Sequence, residues 1–274
     1  MNRYTWKTLV LEIVMILAAA VFVFPLWMLI SVGFRPAAEV AKNPMGIPTS
    51  LNFDNFVGAW VEGELGSAFL TSALITVVSV LVLVVIGASG SYYFARSRGV
   101  AGMRWYAIVA AGMMVPFQIG LLPLYRIMAN VGLTGNPIAV ILISIGIHLP
   151  LTVILYTGFI KKIPPEYEEA ARVDGATPFQ AFWRIVVPML MPITGTVIIL
   201  NGIGVWNEFF LPLLYLSGTD SVTIPVRVYG FVGEYGADWG KIFAGLLMAS
   251  LPVLVLFFLF QRYMIKSFGS GLKG

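Results

Sequence analysis

The feature that most constrains this chain is a set of six apolar stretches, each long enough to cross a lipid bilayer. A membrane-spanning helix needs about 20 consecutive apolar residues. Because lipid offers no hydrogen-bond partner to backbone N–H and C=O groups, such stretches must be helical. The expected spans are Leu9–Ser31, Phe69–Ala95, Trp105–Tyr125, Pro137–Ile160, Met189–Leu213 and Ile242–Tyr263. The sequence therefore predicts an all-α, polytopic membrane protein with one transmembrane domain, residues 1–274.

Composition supports a membrane protein and excludes several other classes. Hydrophobic residues make up 59% of the chain and charged residues 11%, against about 25% charged residues in a typical soluble domain. Too few polar residues remain to cover a soluble globule of this size, and a disordered chain is far less apolar. The chain has no cysteine and one histidine. A thiolate nucleophile, a cysteine-ligated zinc and most histidine-based metal sites are therefore excluded.

Two of the spans have special features. Residues 18–20 are a run of alanines that could mimic a signal cleavage site. The apolar run continues to Ile30, which is too long for the apolar region of a signal peptide, so we expect a retained anchor. Pro116 and Pro123 interrupt the third span. Proline lacks a backbone N–H and clashes with the preceding turn, so a kink or a broken helix is expected there.

The distribution of lysine and arginine predicts the orientation, because these residues favour the cytoplasmic side. If the N-terminus is cytoplasmic, the inner segments hold 12 of the 17 Lys and Arg residues and the outer segments hold five. We therefore expect both termini in the cytoplasm. The three outer loops then lie at about residues 32–68, 126–136 and 214–241. The first and third are long enough to dock an external partner.

The inner segment between the fourth and fifth spans, residues 161–188, contains helix signals. Pro165 can open a helix, since the first turn does not need its N–H group. The three glutamates that follow within four residues suit the positive end of the helix dipole. Gly175 can supply the left-handed residue that ends the helix. Thr177 before Pro178 is a second helix start. A helical hairpin on the cytoplasmic face is predicted.

This hairpin has more apolar side chains than a solvated connector needs. They are Ala170, Ala171, Val173, Ala176, Phe179, Phe182 and Trp183. From local signals alone, the hairpin either joins two spans or docks a protein partner.

The spacing of residues in the hairpin resembles that of a known family. Glu169-Ala170-Ala171 is followed, after three residues, by Gly175, and after nine more by Ile185 and a branched aliphatic-proline pair. This pattern resembles the EAA loop of permease subunits of ATP-binding-cassette (ABC) importers, except that Val187 replaces the usual leucine. The resemblance implies that the loop is a coupling helix that docks on a cytoplasmic ATPase. The residues it assigns to coupling are Glu169, Ala170, Ala171, Asp174, Gly175, Ile185 and Pro188.

Further motifs resemble the carbohydrate-uptake group of this family, in particular its maltose-type "G" permease subunit. The end of the fifth span supplies planar polar and aromatic groups for a sugar path, with residues Asn201, Trp206, Asn207 and Glu208. The segment before the sixth span resembles the contact for an external binding protein, with residues Tyr235, Gly236, Asp238 and Trp239. The C-terminal tail, with Gly271 and Lys273, resembles a segment that reaches between two ATPases.

The resemblance implies a type I, six-helix importer permease in the cytoplasmic (inner) membrane of a bacterium or archaeon. Its expected partners are a second homologous permease, two ABC ATPase subunits, an extracytoplasmic solute-binding protein, a sugar and membrane lipid, without nucleic acid. No phosphate-binding GxxxxGK[ST] loop occurs in the sequence, so ATP and Mg²⁺ are expected on the ATPases. The chain is expected to have no cofactor, no metal and no enzymatic activity of its own.

Three ionisable side chains fall inside the expected spans: Glu12, His148 and Glu208. A charged group at the middle of a span costs roughly 2.5–3.5 kcal/mol on insertion scales, less near the interface. Glu12 lies near the inner end and is interpreted as structural. For a lone histidine, a hydrogen bond between helices is the more common role. For Glu208, two roles stay open: a place on the solute path, or a structural pairing or helix cap.

Alternative functions also stay open. An ABC permease for another solute, such as a polyamine or a peptide, would share the hairpin. A secondary transporter would need intramembrane carboxylates or unwound helices for its coupling ion. A membrane enzyme would need a catalytic set, and with one mid-membrane histidine none is evident.

Overall fold

The computed structural model describes residues 5–43, 45–48, 51–233 and 236–269. Within them, the regular elements are α1 (Trp6–Gly33), α2 (Ala37–Lys42), α3 (Asp54–Glu62), α4 (Leu65–Arg96), α5 (Val100–Ala111), α6 (Leu121–Asn130), α7 (Pro137–Ile160), α8 (Glu166–Val173), α9 (Pro178–Ala181), α10 (Val187–Met189), α11 (Met191–Trp206), α12 (Phe210–Leu216), α13 (Ile224–Tyr229), β1 (Val232–Gly233), β2 (Gly236–Ala237) and α14 (Trp239–Gly269). The predicted all-α class is confirmed.

Among these residues, four helices are long and apolar enough to cross a membrane unaided: α1, α4, α7 and the part of α14 from Trp239 to Gln261. Two bent helix pairs bring the number to six if each pair is one span. The fourth predicted span, Pro137–Ile160, has the predicted bounds. Its Asn136 side chain accepts a hydrogen bond from the N–H of Ile138 and caps the helix.

The third predicted span is broken, as its prolines indicated. α5 continues through a short 3₁₀ turn to Met114, and α6 follows another such turn, with a bend of 88° between the two halves. The break lies at Val115 and Pro116, where the chain is extended. Proline cannot donate the hydrogen bond that would continue the helix.

The fifth predicted span, Met189–Leu213, consists of several helical segments. The helical segments before and after Leu190 meet at 72°, with Pro192 in the first turn of α11. α11 ends at Trp206, and α12 starts again at Phe210. The physical reason for this second break is a polar cap at Glu208, described below.

The chain forms two compact units. The first runs to Gly66 and resumes at Ile224–Leu251; the second consists of Ser67–Thr223 and the chain from Pro252 onward. In the second unit, α4, α7 and α11 share two buried apolar clusters. One cluster, around Ile75, Val140 and Val205, also includes α12. The other, around Tyr156 and Val197, includes side chains of the 161–188 hairpin. The hairpin is therefore part of the core of this unit.

The first unit contains most of the first loop that was predicted to lie outside and part of the third. A two-residue antiparallel ladder joins β1 and β2, with Val232 opposite Ala237. Ion pairs connect the two loops: Lys241 Nζ lies 2.5 Å from Glu62 Oε2, and Arg227 Nη2 lies 2.6 Å from Glu64 Oε2. Four charged side chains of the two loops are therefore paired with one another.

Candidate functional site

The first helix of the 161–188 hairpin, α8, has the predicted start and end. It begins directly after Pro165. At its end Gly175 has φ +87°, in the left-handed region that favours glycine. The N–H of Gly175 donates to Arg172 O at 3.0 Å, and that of Ala176 donates to Ala171 O at 2.9 Å. These two bonds form a Schellman C-cap, which reverses the chain without leaving the last carbonyls unpaired.

The second helix of the hairpin also begins where the sequence predicts. Thr177 and Gln180 form a reciprocal capping box: the N–H of Gln180 donates to Thr177 Oγ1 at 3.3 Å, and the N–H of Thr177 donates to Gln180 Oε1 at 2.9 Å. After α9, the residues Phe182–Val186 form a π-helical turn, in which the backbone is wider than in an α-helix. Local residues therefore determine where both helices of the hairpin begin.

The motif residues are divided between an exposed face and a buried one. Exposed on the hairpin are Glu169, Ala170, Asp174, Gly175 and Pro188, while Ala171 and Ile185 are half-buried. Large apolar side chains accompany the exposed face: Val173 is 88% exposed and Phe179 72%. The hairpin therefore presents the motif together with an apolar surface suited to a protein partner.

Phe182, one of the apolar residues predicted to lie on the docking surface, is buried instead. It stacks on Tyr92 of α4, with ring centroids 4.9 Å apart. The neighbouring Trp183 is 41% exposed. Assigning Phe182 to the partner surface is therefore wrong, because the π-helical turn directs it into the core of the unit.

A buried charge cluster at the base of the hairpin was missed by sequence reasoning. Glu168 is 3% exposed. It accepts hydrogen bonds from Tyr92 Oη at 2.6 Å and from Arg96 Nε at 2.8 Å, and Arg96 Nη2 lies 2.7 Å from the same carboxylate. Arg96 also donates to Ile163 O at 3.0 Å. Tyr92 and Arg96 are more than 70 residues from Glu168 in the sequence, so local sequence patterns could not predict these contacts.

The two residues of α11 that were predicted to line a sugar path, Asn201 and Trp206, are buried and contact side chains of other helices. Asn201 is 1% exposed, and its Nδ2 donates to Thr152 Oγ1 of α7 at 2.8 Å. Trp206 is 7% exposed and meets Phe69 edge-to-face, with centroids 5.6 Å apart. Both residues thus connect helices of the second unit. Asn207, by contrast, is exposed at the end of α11.

Glu208 lies in the break between α11 and α12 and is half-buried. Its Oε1 accepts hydrogen bonds from the N–H groups of Phe210 at 3.0 Å and Leu211 at 3.3 Å. A carboxylate at a helix N-terminus satisfies donors that have no partner within the helix and favours the positive end of the dipole. The helix cap, one of the two roles left open for Glu208, is thus present in the structure.

The outer segment before α14 is also anchored locally. Asp238 Oδ1 accepts from the N–H of Lys241 at 3.2 Å, and its Oδ2 lies 3.4 Å from Lys241 Nζ. Trp239 is 56% exposed and lines a cleft of about 630 Å³ with Val40 and Phe243. Gly236 lies in β2. The predicted contact Tyr235 and the tail residues Gly271 and Lys273 lie outside the described residues.

The hydrogen bond that the structure gives His148 lies within its own helix, α7, and not, as expected, between helices. Its Nδ1 donates to Ser144 O at 2.9 Å. A side chain at Gly204 of α11 would approach Nε2 within 2.6 Å, so the glycine makes room for the ring. The same imidazole lines a cleft of about 840 Å³ beside the broken third span, with Gln118 among the lining residues. Glu12 is exposed on α1.

In the part of the chain that the structure describes, no group of three His, Cys, Asp or Glu side chains is arranged to hold a metal ion. The arrangement is that of a multi-pass helical membrane protein with a helical hairpin between two of its spans. The exposed side of this hairpin offers a surface for a partner.

Comparison with known proteins agrees with this class. A family model described as "Binding-protein-dependent transport system inner membrane component" matches residues 87–268, more than half of the chain. The chain therefore belongs to this family of multi-pass inner-membrane transport subunits, and the predicted ABC importer permease resemblance is confirmed.

Several curated proteins are similar over nearly their whole length. The melibiose/raffinose/stachyose import permease protein MelC of Bacillus subtilis is 33% identical over 97% of each chain. The multiple sugar-binding transport system permease protein MsmG of Streptococcus mutans is 31% identical over 98% of this chain and 96% of its own. The arabinooligosaccharides transport system permease protein AraQ of Halalkalibacterium halodurans is 32% identical over 93% of each.

Solved structures support the fold. A chain of a bacterial ABC transporter involved in the import of the acidic polysaccharide alginate matches with a TM-score of 0.81 and 21% identity, over 96% of this chain and 99% of its own. The MetNI methionine ABC transporter matches with a TM-score of 0.58 and 21% identity, over 74% and 95%. The predicted type I importer fold is confirmed.

Proposed function

We propose that this chain is the permease subunit of an ATP-driven ABC importer, and that it forms half of the path for a sugar or oligosaccharide. The observation that carries the proposal is the hairpin of residues 161–188. It presents Glu169, Ala170 and Gly175 on an exposed surface while its other side is packed into the second unit. A docking surface that is rigidly attached to membrane helices is what transmission of force from a cytoplasmic ATPase requires.

Sugar is the proposed solute class because the similar permeases in three bacteria are named for import of sugars or oligosaccharides. Family relatives that carry polyamines or peptides would share the hairpin but not these names. The Trp206-Asn207-Glu208 segment also supplies the planar polar and aromatic groups that bind sugars. On this chain, exposed Asn207 and half-buried Glu208 are the proposed contacts with the solute. Buried Asn201 and Trp206 are proposed to support the path by holding its helices.

The proposed complex has two permeases, two ABC ATPases and one extracytoplasmic binding protein. ATP and Mg²⁺ bind on the ATPases, and this chain has no hydrolytic activity of its own. Both termini are cytoplasmic, as the 12-to-5 division of Lys and Arg favours. The binding protein contacts the outer loops, with Tyr235, Gly236, Asp238 and exposed Trp239 as the proposed residues. The tail with Gly271 and Lys273 reaches the ATPases.

The proposed coupling residues have distinct roles. Glu169 and Asp174 offer charges to the ATPase surface, while Ala170 and Ala171 allow close approach. Gly175 sets the turn, as its φ of +87° requires. Ile185 and Pro188 connect the hairpin to the bent entry of α11. ATP-driven closure of the ATPases would move the hairpin and thereby switch the solute path between inward-facing and outward-facing states.

The experiment that tests this function is reconstitution of the complete complex in proteoliposomes. We expect labelled oligosaccharide to enter only with ATP on the ATPase side and with the loaded binding protein on the other. A panel with a polyamine and a peptide tests the solute class. Uptake driven by an ion gradient without ATPase subunits would contradict the proposal, as would uptake of a polyamine or peptide in preference to every sugar.

A further inference from the structure

Two adjacent glutamates of α8 face different surroundings. Glu169 is exposed, whereas Glu168 is buried and faces α4. Successive residues of a helix are about 100° apart, so neighbours in sequence can serve different surfaces. We propose that Glu168 is a positioning residue for energy coupling: through Arg96 and Tyr92 it locks the docking hairpin to the cytoplasmic end of α4.

The cost of burying the carboxylate supports a specific role. A buried carboxylate is unfavourable unless it is paired and hydrogen-bonded. Glu168 has three close contacts at 2.6, 2.7 and 2.8 Å, from Tyr92 Oη and two nitrogens of Arg96. Both oxygens are used, so the side chain is held in one orientation. A solvated glutamate at the same position would suit the helix dipole equally well, and the dipole therefore does not explain the burial.

The contact has the geometry of a clamp with two points. At the first point, Arg96 joins Glu168 of α8 and also the carbonyl of Ile163, the residue just before the hairpin's two prolines. At the second point, Tyr92 stacks on Phe182 in the π-helical turn. Tyr92 and Arg96 are four residues apart and lie on one face of α4. Two separate points of attachment prevent the hairpin from pivoting about either one.

The partner helix is suited to transmit a movement. α4 runs without a break over 32 residues, which corresponds to about 48 Å at 1.5 Å per residue. The third and fifth spans are both bent, by 88° and 72°. A displacement of the hairpin would therefore reach the outer side of the membrane through α4 as well as through α7, the unbroken helix that leads directly into the hairpin.

This inference rests on the proposed function, in which the hairpin docks on an ATPase. The test compares Glu168→Gln and Tyr92→Phe with matched controls in the reconstituted complex. Glu166→Gln changes an exposed glutamate of the same helix, and Tyr93→Phe changes an exposed tyrosine of the same turn of α4. The readouts are transport, the ATPase rate stimulated by loaded binding protein, and the distance between a label on α4 and a label on α8.

We expect Glu168→Gln to lower stimulated ATPase activity and transport by roughly tenfold or more, because it leaves Arg96 without its buried counter-charge. Tyr92→Phe keeps the ion pair and should lower both rates by about twofold to fivefold, as expected for loss of one hydrogen bond. Both controls should match the wild type. Normal rates in Glu168→Gln would overturn the proposal. If that variant does not assemble, equal rates for Tyr92→Phe and Tyr93→Phe would overturn it.

The distance readout does not depend on transport. The chain has no cysteine, so cysteines introduced at exposed Val85 of α4 and exposed Val173 of α8 take spin labels at unique sites. We expect a narrow distance distribution in the wild type and a broad one in Glu168→Gln. An unchanged distribution would overturn the clamp. If the wild type showed no stimulated ATPase activity, the proposed function would fail, and this distance would still decide whether Glu168 holds the hairpin.

Discussion

Arg35 and Glu39 form an ion pair in which the cation is 1% exposed and the anion 27% exposed. The guanidinium donates to Glu39 Oε1 and to three backbone carbonyls, including that of Gly46 at 3.0 Å. Its charge therefore organises the start of the first outer loop, which contains α2. Arg227 forms the corresponding outer pair with Glu64, but its side chain is 26% exposed and that of Glu64 60%.

We expect Arg35→Gln to destabilise the first outer loop and Arg227→Gln to have little effect. Arg35 is buried, and its loss removes the donor to three backbone carbonyls as well as to Glu39, at a cost of about 3–5 kcal/mol. Glu64 is 60% exposed, and an ion pair with such an exposed partner contributes about 0–1 kcal/mol. Thermal unfolding of the purified complex and proteolysis of the outer loop would measure the difference. Equal effects of the two substitutions would contradict the role of Arg35.

Gly175→Val should uncouple ATP hydrolysis from transport while the permease still inserts. At φ +87° a side chain costs roughly 1–2 kcal/mol. No atom lies within 4 Å of a Cβ built at Gly175, so the strain comes from the backbone and not from a clash. Gly175→Asn should have a smaller effect, since asparagine tolerates the left-handed region better. The measurement is stimulated ATPase activity of the reconstituted complex.

Gly158→Ala provides the control for Gly175. Gly158 lies inside α7, also has open space around its Cβ position, and has no positive φ. Alanine there should leave activity unchanged or stabilise the helix slightly. If Gly175→Val kept normal coupling, or if both substitutions lowered it equally, the turn at Gly175 would not be needed for coupling.

Glu208→Ala should lower sugar uptake more than it lowers assembly of the complex. Loss of the helix cap alone costs about 1 kcal/mol. Glu208→Gln retains an oxygen that can accept from the N–H groups of Phe210 and Leu211 but has no charge. A defect that persists in the Gln variant would place the carboxylate on the solute path. Full recovery in Gln would mean that Glu208 serves only as a cap. Initial uptake rates against sugar concentration would separate the two.

Thr152→Val should lower the stability of the complex without changing its affinity for the sugar. It removes the acceptor for Asn201 Nδ2, and hydrogen bonds between membrane helices contribute about 0.6–1.7 kcal/mol. Asn201→Ala should have a similar effect, and the double variant should cost less than the sum of the two. Ser89→Ala, at an exposed site of α4, is the control. A higher KM with unchanged melting temperature would instead place Asn201 on the sugar path.

The helix starts and the turn of the 161–188 hairpin could be predicted because they depend on neighbours in sequence. Pro165, Gly175 and the Thr177 cap act within one or two helical turns, and each has the predicted place in the structure. The break of the third span follows in the same way from Pro116, which removes a local hydrogen bond. The break at Glu208 was missed, since a carboxylate in an apolar run does not reveal which N–H groups it will cap.

Contacts between distant segments could not be predicted. Glu168 and Glu169 look alike in the sequence, yet one is buried against α4 and the other is exposed. Phe182 and Phe179 look alike as well, and only Phe179 lies on the exposed surface. Helical periodicity was ambiguous here because the π-helical turn shifts the faces of the second helix.

By itself, the sequence determined that this protein is an all-α membrane protein with several spans, and where the helices of the 161–188 hairpin begin. These properties depend on hydropathy, local turns and caps, which act over short distances along the chain. Only the tertiary structure decided that Glu168, Arg96 and Tyr92 meet, and that Asn201 bonds to Thr152. Burial and pairing of polar groups depend on which helices pack together, because their cost is offset only by a partner brought close in space.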